Sequence, residues 1–359
     1  MEARVNIPAR LLHVPWVQDI MKENPTTVPE RYVRDDLEPV IMGACSGLQL
    51  PVIDLGRLVS EDCAKLELKK LHHACKDWGF FQLINHEVSP KLIEKVKKGT
   101  EELFNMPMEE KKKFWQRDGE SSGFGQAFVF SEDQKLDWAD IFYMFTLPAS
   151  MRKPHLFPKL PLPFRDDLDA YSKETKTLAI KLLYLMAKAL GMEAKDLEGI
   201  FEDGLQSMRM NYYPPCPQPE LVMGLNSHSD GDAVTILLQV NEMEGLQIRK
   251  DGKWVPVKPL PGAFIINVGD VVEQIITNGI YQSIEHRATV NAVKERISIA
   301  TFFSPRMDAE IGPASSLITS ETPAMFRRIT AAEHLKGYLS RELNGKAYLD
   351  AMRVQNNET

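Results

Sequence analysis

Cysteine is scarce. The four in 359 residues, Cys45, Cys63, Cys75 and Cys216, include no CxxC pair. That leaves no basis for a disulfide scaffold or a zinc ribbon, and free, mostly buried thiols are expected instead. Long apolar runs are also missing: no stretch approaches the roughly 18 residues of a membrane span. Arg4, Pro8, Arg10 and Pro15 interrupt the first segment where a signal peptide needs an unbroken apolar core. A reducing cytosol is therefore the expected compartment, with no membrane partner. Basic residues are not in excess: 43 Lys and Arg face 50 Asp and Glu, a net charge of −7, which argues against nucleic acid as a partner. Internal repeats and low-complexity segments are absent. What remains, 43% hydrophobic and 26% charged residues, suits a globular protein of two domains, or of one large domain with an added module.

The first 165 residues read as a helix-rich module with short strands. PVIDL (51–55) and GFFQLIN (79–85) are strand candidates. Between them Leu68, Leu71, Cys75 and Trp78 recur at helical spacing up to Gly79, a helix-stop residue. Ser89 and Pro90 form an N-cap and first-turn pair for a helix whose stripe is Leu92, Ile93, Val96 and Leu103. Prolines at 148, 154, 158, 161 and 163 exclude a long helix or central strand, so a boundary is placed near residue 165.

The second unit, 166–359, opens with a long helix through Leu168, Tyr171, Leu178, Leu182, Leu185 and Ala189, to be ended by Gly191. From about 205 come short β-rich runs at close spacing: AVTILLQV (233–240), GLQIRK (245–250), WVPV (254–257), AFIINV (263–268) and ISIATFFS (297–304). They predict an antiparallel sandwich or barrel. Leu335, Leu339 and Leu343 point to a closing helix.

In an extended segment, residues two apart share a face. His228 and Asp230 in NSHSD therefore converge, and His286 in SIEHRATVN offers a second imidazole from the same β-rich half. Two histidines and one carboxylate leave three positions open on an octahedral ion, as in non-haem Fe(II) oxygenases. The same set serves zinc hydrolysis, so the triad alone does not choose. Arg296 and Ser298 in ERISIA tip the balance, because an inward-facing arginine in an apolar strand calls for an anion, and its fork suits a carboxylate. An ion pair with an internal Asp or Glu is the structural alternative. Asn211 and Tyr213 form a third pair of this kind.

These segments resemble the plant 2-oxoglutarate- and Fe(II)-dependent dioxygenases from about residue 50 to 352, through LPVIDL, DWGFFQLINH, MNYYPPCP, HSD, SIEHRA and the Arg-x-Ser pair. GFGQ (123–126), SEDQKLDWADIF (131–142), RKPHLF (152–157) and NYYPPCPQPEL (211–221) are similar to the opium-poppy alkaloid O-demethylases within that family. The resemblance implies a mixed α/β fold with a double-stranded β-helix (jelly-roll) core, an N-terminal helix-rich module and a C-terminal helix. It implies Fe(II) on His228, Asp230 and His286, and 2-oxoglutarate gripped by Arg296 and Ser298 with help from Asn211 and Tyr213. It also implies O2 as co-reactant, ascorbate as a helpful addition in vitro, and a monomer acting on a small molecule. O-demethylation of an alkaloid-type metabolite is the first expectation. Hydroxylation or desaturation of a flavonoid, terpenoid or hormone is the alternative, and a non-catalytic ligand-binding protein on this scaffold the second.

Phe124, Phe128, Phe142 and Phe303 are candidates for stacking on a polycyclic substrate, although core packing is the ordinary role of each. Asp232 is a candidate partner for a substrate amine, weighed against a solvated loop carboxylate. Three departures from the family pattern stand out, one of them Gly231-Asp232-Ala233, where the poppy demethylases carry an aromatic and small residues and where Asp232 is also a conceivable competing metal ligand. Glu87 replaces a usual glycine, expected to be a neutral surface change. Gln274 reads as a one-residue insertion that would flip or bulge a strand just before His286.

Overall fold

A computed structural model of the protein describes residues 12, 14–23, 25–35, 37, 38, 48–117, 120–126, 129, 131–339 and 352–354. Cys45, Phe128 and Leu343 lie outside the described residues. Twelve strands build two sheets: β1 (Val52–Asp54), β2 (Phe80–Ile84), β3 (Gly123–Phe124), β4 (Asp140–Leu147), β5 (Leu205–Tyr213), β6 (Leu225–His228), β7 (Val234–Gln239), β8 (Leu246–Lys250), β9 (Lys253–Pro256), β10 (Phe264–Val268), β11 (His286–Ala288) and β12 (Arg296–Ser304). The large sheet runs β1-β2-β10-β7-β12-β5-β4-β3, the small one β6-β11-β8-β9. From β5 to β12 the chain passes back and forth between them, which gives the expected jelly roll, and β1–β4 extend the large sheet on both sides. The 1–165 and 166–359 segments are thus joined along one sheet, through the β4–β5 ladder on one side and β2–β10 on the other.

The two faces of the large sheet differ because β-strand side chains alternate. Val234, Ile236 and Leu238 on β7, Met208 and Met210 on β5, Phe264, Ile266 and Val268 on β10, and Ile297, Ile299 and Phe303 on β12 pack in one core with the helices. The long helix Phe164–Leu190 contributes Leu168, Tyr171, Leu178, Leu182 and Met186 to it and ends at Gly191, as the spacing predicted. Each large side chain fully buried there contributes about 1.5–3 kcal/mol. Between the two sheets a smaller cluster, including Phe80, Leu237, Leu246, Ile248, Val255 and Ile265, fills part of the space, and polar residues line the rest.

Other local expectations are met. The Leu68–Trp78 spacing becomes the helix Ala64–His73 and a π-helical turn Ala74–Trp78 that stops at Gly79. Ser89 accepts a hydrogen bond from the Leu92 N–H at the head of the helix Pro90–Asn105. Cys75 and Cys216 are buried free thiols and Cys63 is half-buried. Among the described residues no helix is long and apolar enough to cross a membrane.

Two expectations need correcting. Gln274 lies in a π-helical turn, Val271–Ile276, and not in a strand. A π turn absorbs one residue without shifting the register of the chain beyond it, and His286 still stands opposite His228 in the β11–β6 pair. Glu87 is exposed and paired with Lys181 at 2.8 Å, but its φ of +67° is left-handed. Glycine adopts that conformation without strain, so the change is not neutral for the backbone.

Gly99 lets the helix Pro90–Asn105 pack directly on Phe164, the first residue of the helix Phe164–Leu190: a Cβ there would lie 2.0 Å from the Phe164 ring. Alanine in mid-helix ordinarily gains about 1 kcal/mol over glycine, whereas overpacking a core costs about 1–3 kcal/mol. Gly99→Ala is therefore expected to destabilise the protein. A rise in the urea midpoint would show that the helices can move apart freely.

Candidate functional site

β6 and β11 lie side by side in the small sheet and place the His228 and His286 rings 4.3 Å apart, centre to centre. Asp230 follows β6 and turns its Oδ1 toward both, 3.5 Å from His228 Nε2 and 3.7 Å from His286 Nε2. One donor atom from each of the three residues falls within 4.8 Å of the others, and all three residues are buried.

Each donor is aimed by a second contact. His228 Nδ1 is 2.7 Å from the Asn226 carbonyl and His286 Nδ1 is 3.1 Å from the Ile284 carbonyl. A carbonyl only accepts, so each Nδ1 donates to it and each Nε2 is turned toward the centre of the triad. Asp230 Oδ2 accepts from the Thr235 hydroxyl at 2.6 Å and from the Asn267 amide at 2.8 Å, which leaves Oδ1 for the centre. Burial, reinforced by His228, lowers His286 to about 4 and so favours the neutral imidazole. Burial would raise Asp230, but His286, His228 and the Thr235 hydroxyl outweigh it and hold the carboxyl below the usual range. Neutral imidazoles around an ionised carboxylate are what a divalent ion requires.

Two cavities meet at the triad, sharing His228, Asp230, Arg209 and Phe302 in their walls. The first runs between the sheets and contains Arg296, Ser298, Asn211 and Tyr213. Arg296 is 2% exposed. It reaches Gln239 Oε1 at 3.0 Å and Ser298 Oγ at 3.4 Å and lies over the Tyr213 ring, while its Nε and the Asn211 Oδ1 are buried without a partner. Among the described residues no carboxylate lies within ion-pair distance of it, which removes the structural alternative of an internal Asp or Glu. Burial lowers the guanidinium from its ordinary value. This buried cation, with its unpartnered Nε–H, suits a small carboxylate ligand, while the orphaned Asn211 Oδ1, an acceptor, calls for a donor.

The second cavity has walls of Ile141, Leu205, Phe302, Leu335 and Tyr338, with Ser121, Tyr143, Ser207 and Ser304 as polar points. Of the aromatic candidates, Phe124, Phe142 and Phe303 do not line it. Phe124 and Phe142 stack on each other in the core, and Phe303 packs on Phe201 behind the sheet. The reason is alternation: Ile141 and Tyr143 flank Phe142 and face the cavity, as Phe302 and Ser304 flank Phe303. Asp232 is not a solvated loop residue. It is buried in the cavity wall, accepting from the Thr235 hydroxyl and, at 3.1 Å, from the Phe303 N–H. Burial and the neighbouring Asp230 raise it well above the usual carboxylate range.

Known proteins share this arrangement. Residues 204–305 match the 2OG-Fe(II) oxygenase superfamily, and residues 50–160 match the N-terminal region described as non-haem dioxygenase in morphine synthesis. The oxoglutarate-dependent flavonoid 7-O-demethylase 1 of Ocimum basilicum is 57% identical over 348 residues, 97% of this chain and 93% of that protein. The chain belongs to the 2-oxoglutarate/Fe(II) oxygenase family. Codeine O-demethylase of Papaver somniferum is 52% identical over 349 residues, 96% of this chain and 97% of that one. Among solved structures, JOX2 in complex with 2OG, Fe and JA superposes with a TM-score of 0.85 at 31% identity, covering 97% of this chain and 100% of that chain. The protein is thus an oxygenase that uses Fe(II) and 2-oxoglutarate.

The C-terminal helix Ala331–Leu339 closes the second cavity. Tyr338 donates its hydroxyl to the Ser229 carbonyl and His334 lies 2.9 Å from the Gly231 carbonyl, so the helix holds the backbone on both sides of Asp230. The approach is so close that a Cβ on Gly231 would lie 2.5 Å from the Tyr338 ring. Gly231→Ala is expected to lift this helix: hydrogen exchange over 331–339 should speed up about tenfold or more with little change in global unfolding. Unchanged protection would mean that the helix is held by other contacts.

Proposed function

We propose that this oxygenase removes an O-methyl group from a plant specialised metabolite. His228, Asp230 and His286 hold the iron, Arg296 and Ser298 grip the distal carboxylate of 2-oxoglutarate with Asn211 and Tyr213 assisting, and the cavity under the C-terminal helix takes the substrate. The observation that carries the reading is the meeting of two cavities at the triad, one containing a buried arginine without a carboxylate. Two of the relatives, at 57% and 52% identity, are named as O-demethylases of a flavonoid and of codeine. A monomer in the reducing cytosol is consistent with the free thiols Cys63, Cys75 and Cys216.

Bound iron, with 2-oxoglutarate and oxygen, supplies the oxidising power that puts one oxygen atom into a substrate C–H bond while 2-oxoglutarate is split to succinate and carbon dioxide. On an O-methyl carbon the hydroxylated product is a hemiacetal, which falls apart to the free alcohol and formaldehyde. The protein's share is orientation. Arg296 fixes one end of the cosubstrate, and Phe302, Ile141, Leu205 and Leu335 give the substrate an apolar wall that excludes water. Asn226, Ile284, Thr235 and Asn267 keep the three donors pointed at one spot.

The direct test is succinate formation and mass spectrometry with anaerobically iron-loaded protein, 2-oxoglutarate and a panel of methoxylated alkaloids, flavonoids and terpenoids. A product lighter by one CH2 unit supports the reading, and one heavier by a single oxygen atom favours the hydroxylase instead. Arg296→Ala should raise the 2-oxoglutarate requirement about tenfold or more, as expected for loss of a charge-assisted pair. An unchanged requirement would remove Arg296 from its assigned role. Thr235→Val leaves Asp230 Oδ2 with Asn267 alone and should weaken metal binding about 10- to 100-fold. Titration with cobalt(II) checks this, and equal affinities would detach Thr235 from the metal site.

A further inference from the structure

Arg209 is a charged side chain that none of these roles uses. It stands on β5 two residues before Asn211, paired across the sheet with Tyr143 on β4 and Ala300 on β12. It lines both cavities. Among the described residues its guanidinium makes no hydrogen bond or ion pair, and its Nε is buried without a partner. The carboxylates around it are committed elsewhere. Asp137 is 2.9 Å from Arg34 and accepts from the Asn226 N–H. Asp230 is held by Thr235 and Asn267, and Asp232 by Thr235 and the Phe303 N–H. A guanidinium facing an apolar-walled space is costly unless an anion meets it, and its planar fork matches an acidic oxygen or a carboxylate. Tyr143 and Ser207 add hydroxyls to the same stretch of wall.

We propose that Arg209 anchors an acidic oxygen of the substrate, a phenolate or a carboxylate, so that the site prefers aromatic ethers bearing such a group over permethylated or cationic ones. This rests on the assignment of the cavity under the C-terminal helix to the substrate. It turns the expectation away from a protonated alkaloid amine and toward an acidic polyphenol. Because Arg209 also lines the first cavity, the competing claim on it is the cosubstrate's own carboxylate.

The test measures binding without turnover, so it does not depend on which bond is oxidised. Protein loaded with zinc(II) and 2-oxoglutarate is titrated calorimetrically with matched pairs: methoxyflavones carrying one free hydroxyl and their permethylated counterparts, and methoxylated aromatic acids and their methyl esters. A methoxylated tertiary amine is titrated alongside. The acidic member of at least one pair should bind about tenfold or more tightly than its neutral partner, the worth of a charge-assisted hydrogen bond. Arg209→Gln should abolish that ratio and Arg209→Lys should keep part of it, with 2-oxoglutarate affinity changing less than substrate affinity. A ratio unaltered in Arg209→Gln overturns the proposal, as do tightest binding by the amine, no preference in any pair, or a loss confined to 2-oxoglutarate. Failure of demethylation alone, with the ratio intact, leaves it standing and overturns only the reaction.

Discussion

The pairing of β5 with β12 is the constraint on which the site depends. Nine residues of each strand run antiparallel in unbroken register, Arg296 opposite Tyr213 through Ser304 opposite Leu205. Alternation then leaves no freedom. Once Ile297, Ile299 and Phe303 are committed to the core beneath the helices, Arg296, Ser298, Ala300, Phe302 and Ser304 must face the small sheet. On β5 the same rule sends Leu205, Ser207, Arg209, Asn211 and Tyr213 to that side. Both cavities are therefore walled by one pair of strands, and a slip of one residue would bury two arginines against the long helix while turning core side chains toward the triad.

That rule also explains how the sequence could be read and where the reading failed. Every strand expected in the β-rich half was found, since alternation and turn signals are local properties. The triad and the Arg296/Ser298 pair were legible because their residue types are costly to bury without a purpose. Two of the aromatic candidates, Phe142 and Phe303, went wrong by one position. If Arg296 and Ser298 face inward, the face continues through 302 and 304 and excludes 303, so Phe302 was within reach of the argument that named Phe303. Counting back from Asn211 likewise reaches Arg209. These were misses of inference, not of information.

Other features had no local signature. The carbonyls of Asn226 and Ile284 that orient the histidines are backbone atoms, and any residue type supplies them. Asn267 meets Asp230 from β10, 37 residues away. Tyr338 and Leu335 come to the second cavity from a helix whose spacing shows only that one side is apolar. The extra residue at Gln274 was visible as an insertion, but the choice between a strand bulge and a π turn depends on whether the segment is helical, which tertiary packing decides.

Charge is distributed unevenly around the triad. Against burial, His286 and His228 hold Asp230 below the usual carboxylate range, whereas burial and Asp230 itself raise Asp232 well above it. Across from them, Arg296 and Arg209 bring two guanidinium groups that, among the described residues, have no carboxylate in ion-pair reach. Two guanidinium groups thus face the meeting of the cavities in a protein whose net charge is −7. Keeping a guanidinium unpaired and away from water, as at the buried Arg296, costs stability that a hydrophobic replacement would not. A species of opposite charge would offset that cost: under the assignments proposed above, a carboxylate of the cosubstrate would meet Arg296 and an acidic oxygen of the substrate would meet Arg209. On that proposal, the residue that chooses the substrate and those that would hold the cosubstrate stand on one strand pair, β5 and β12.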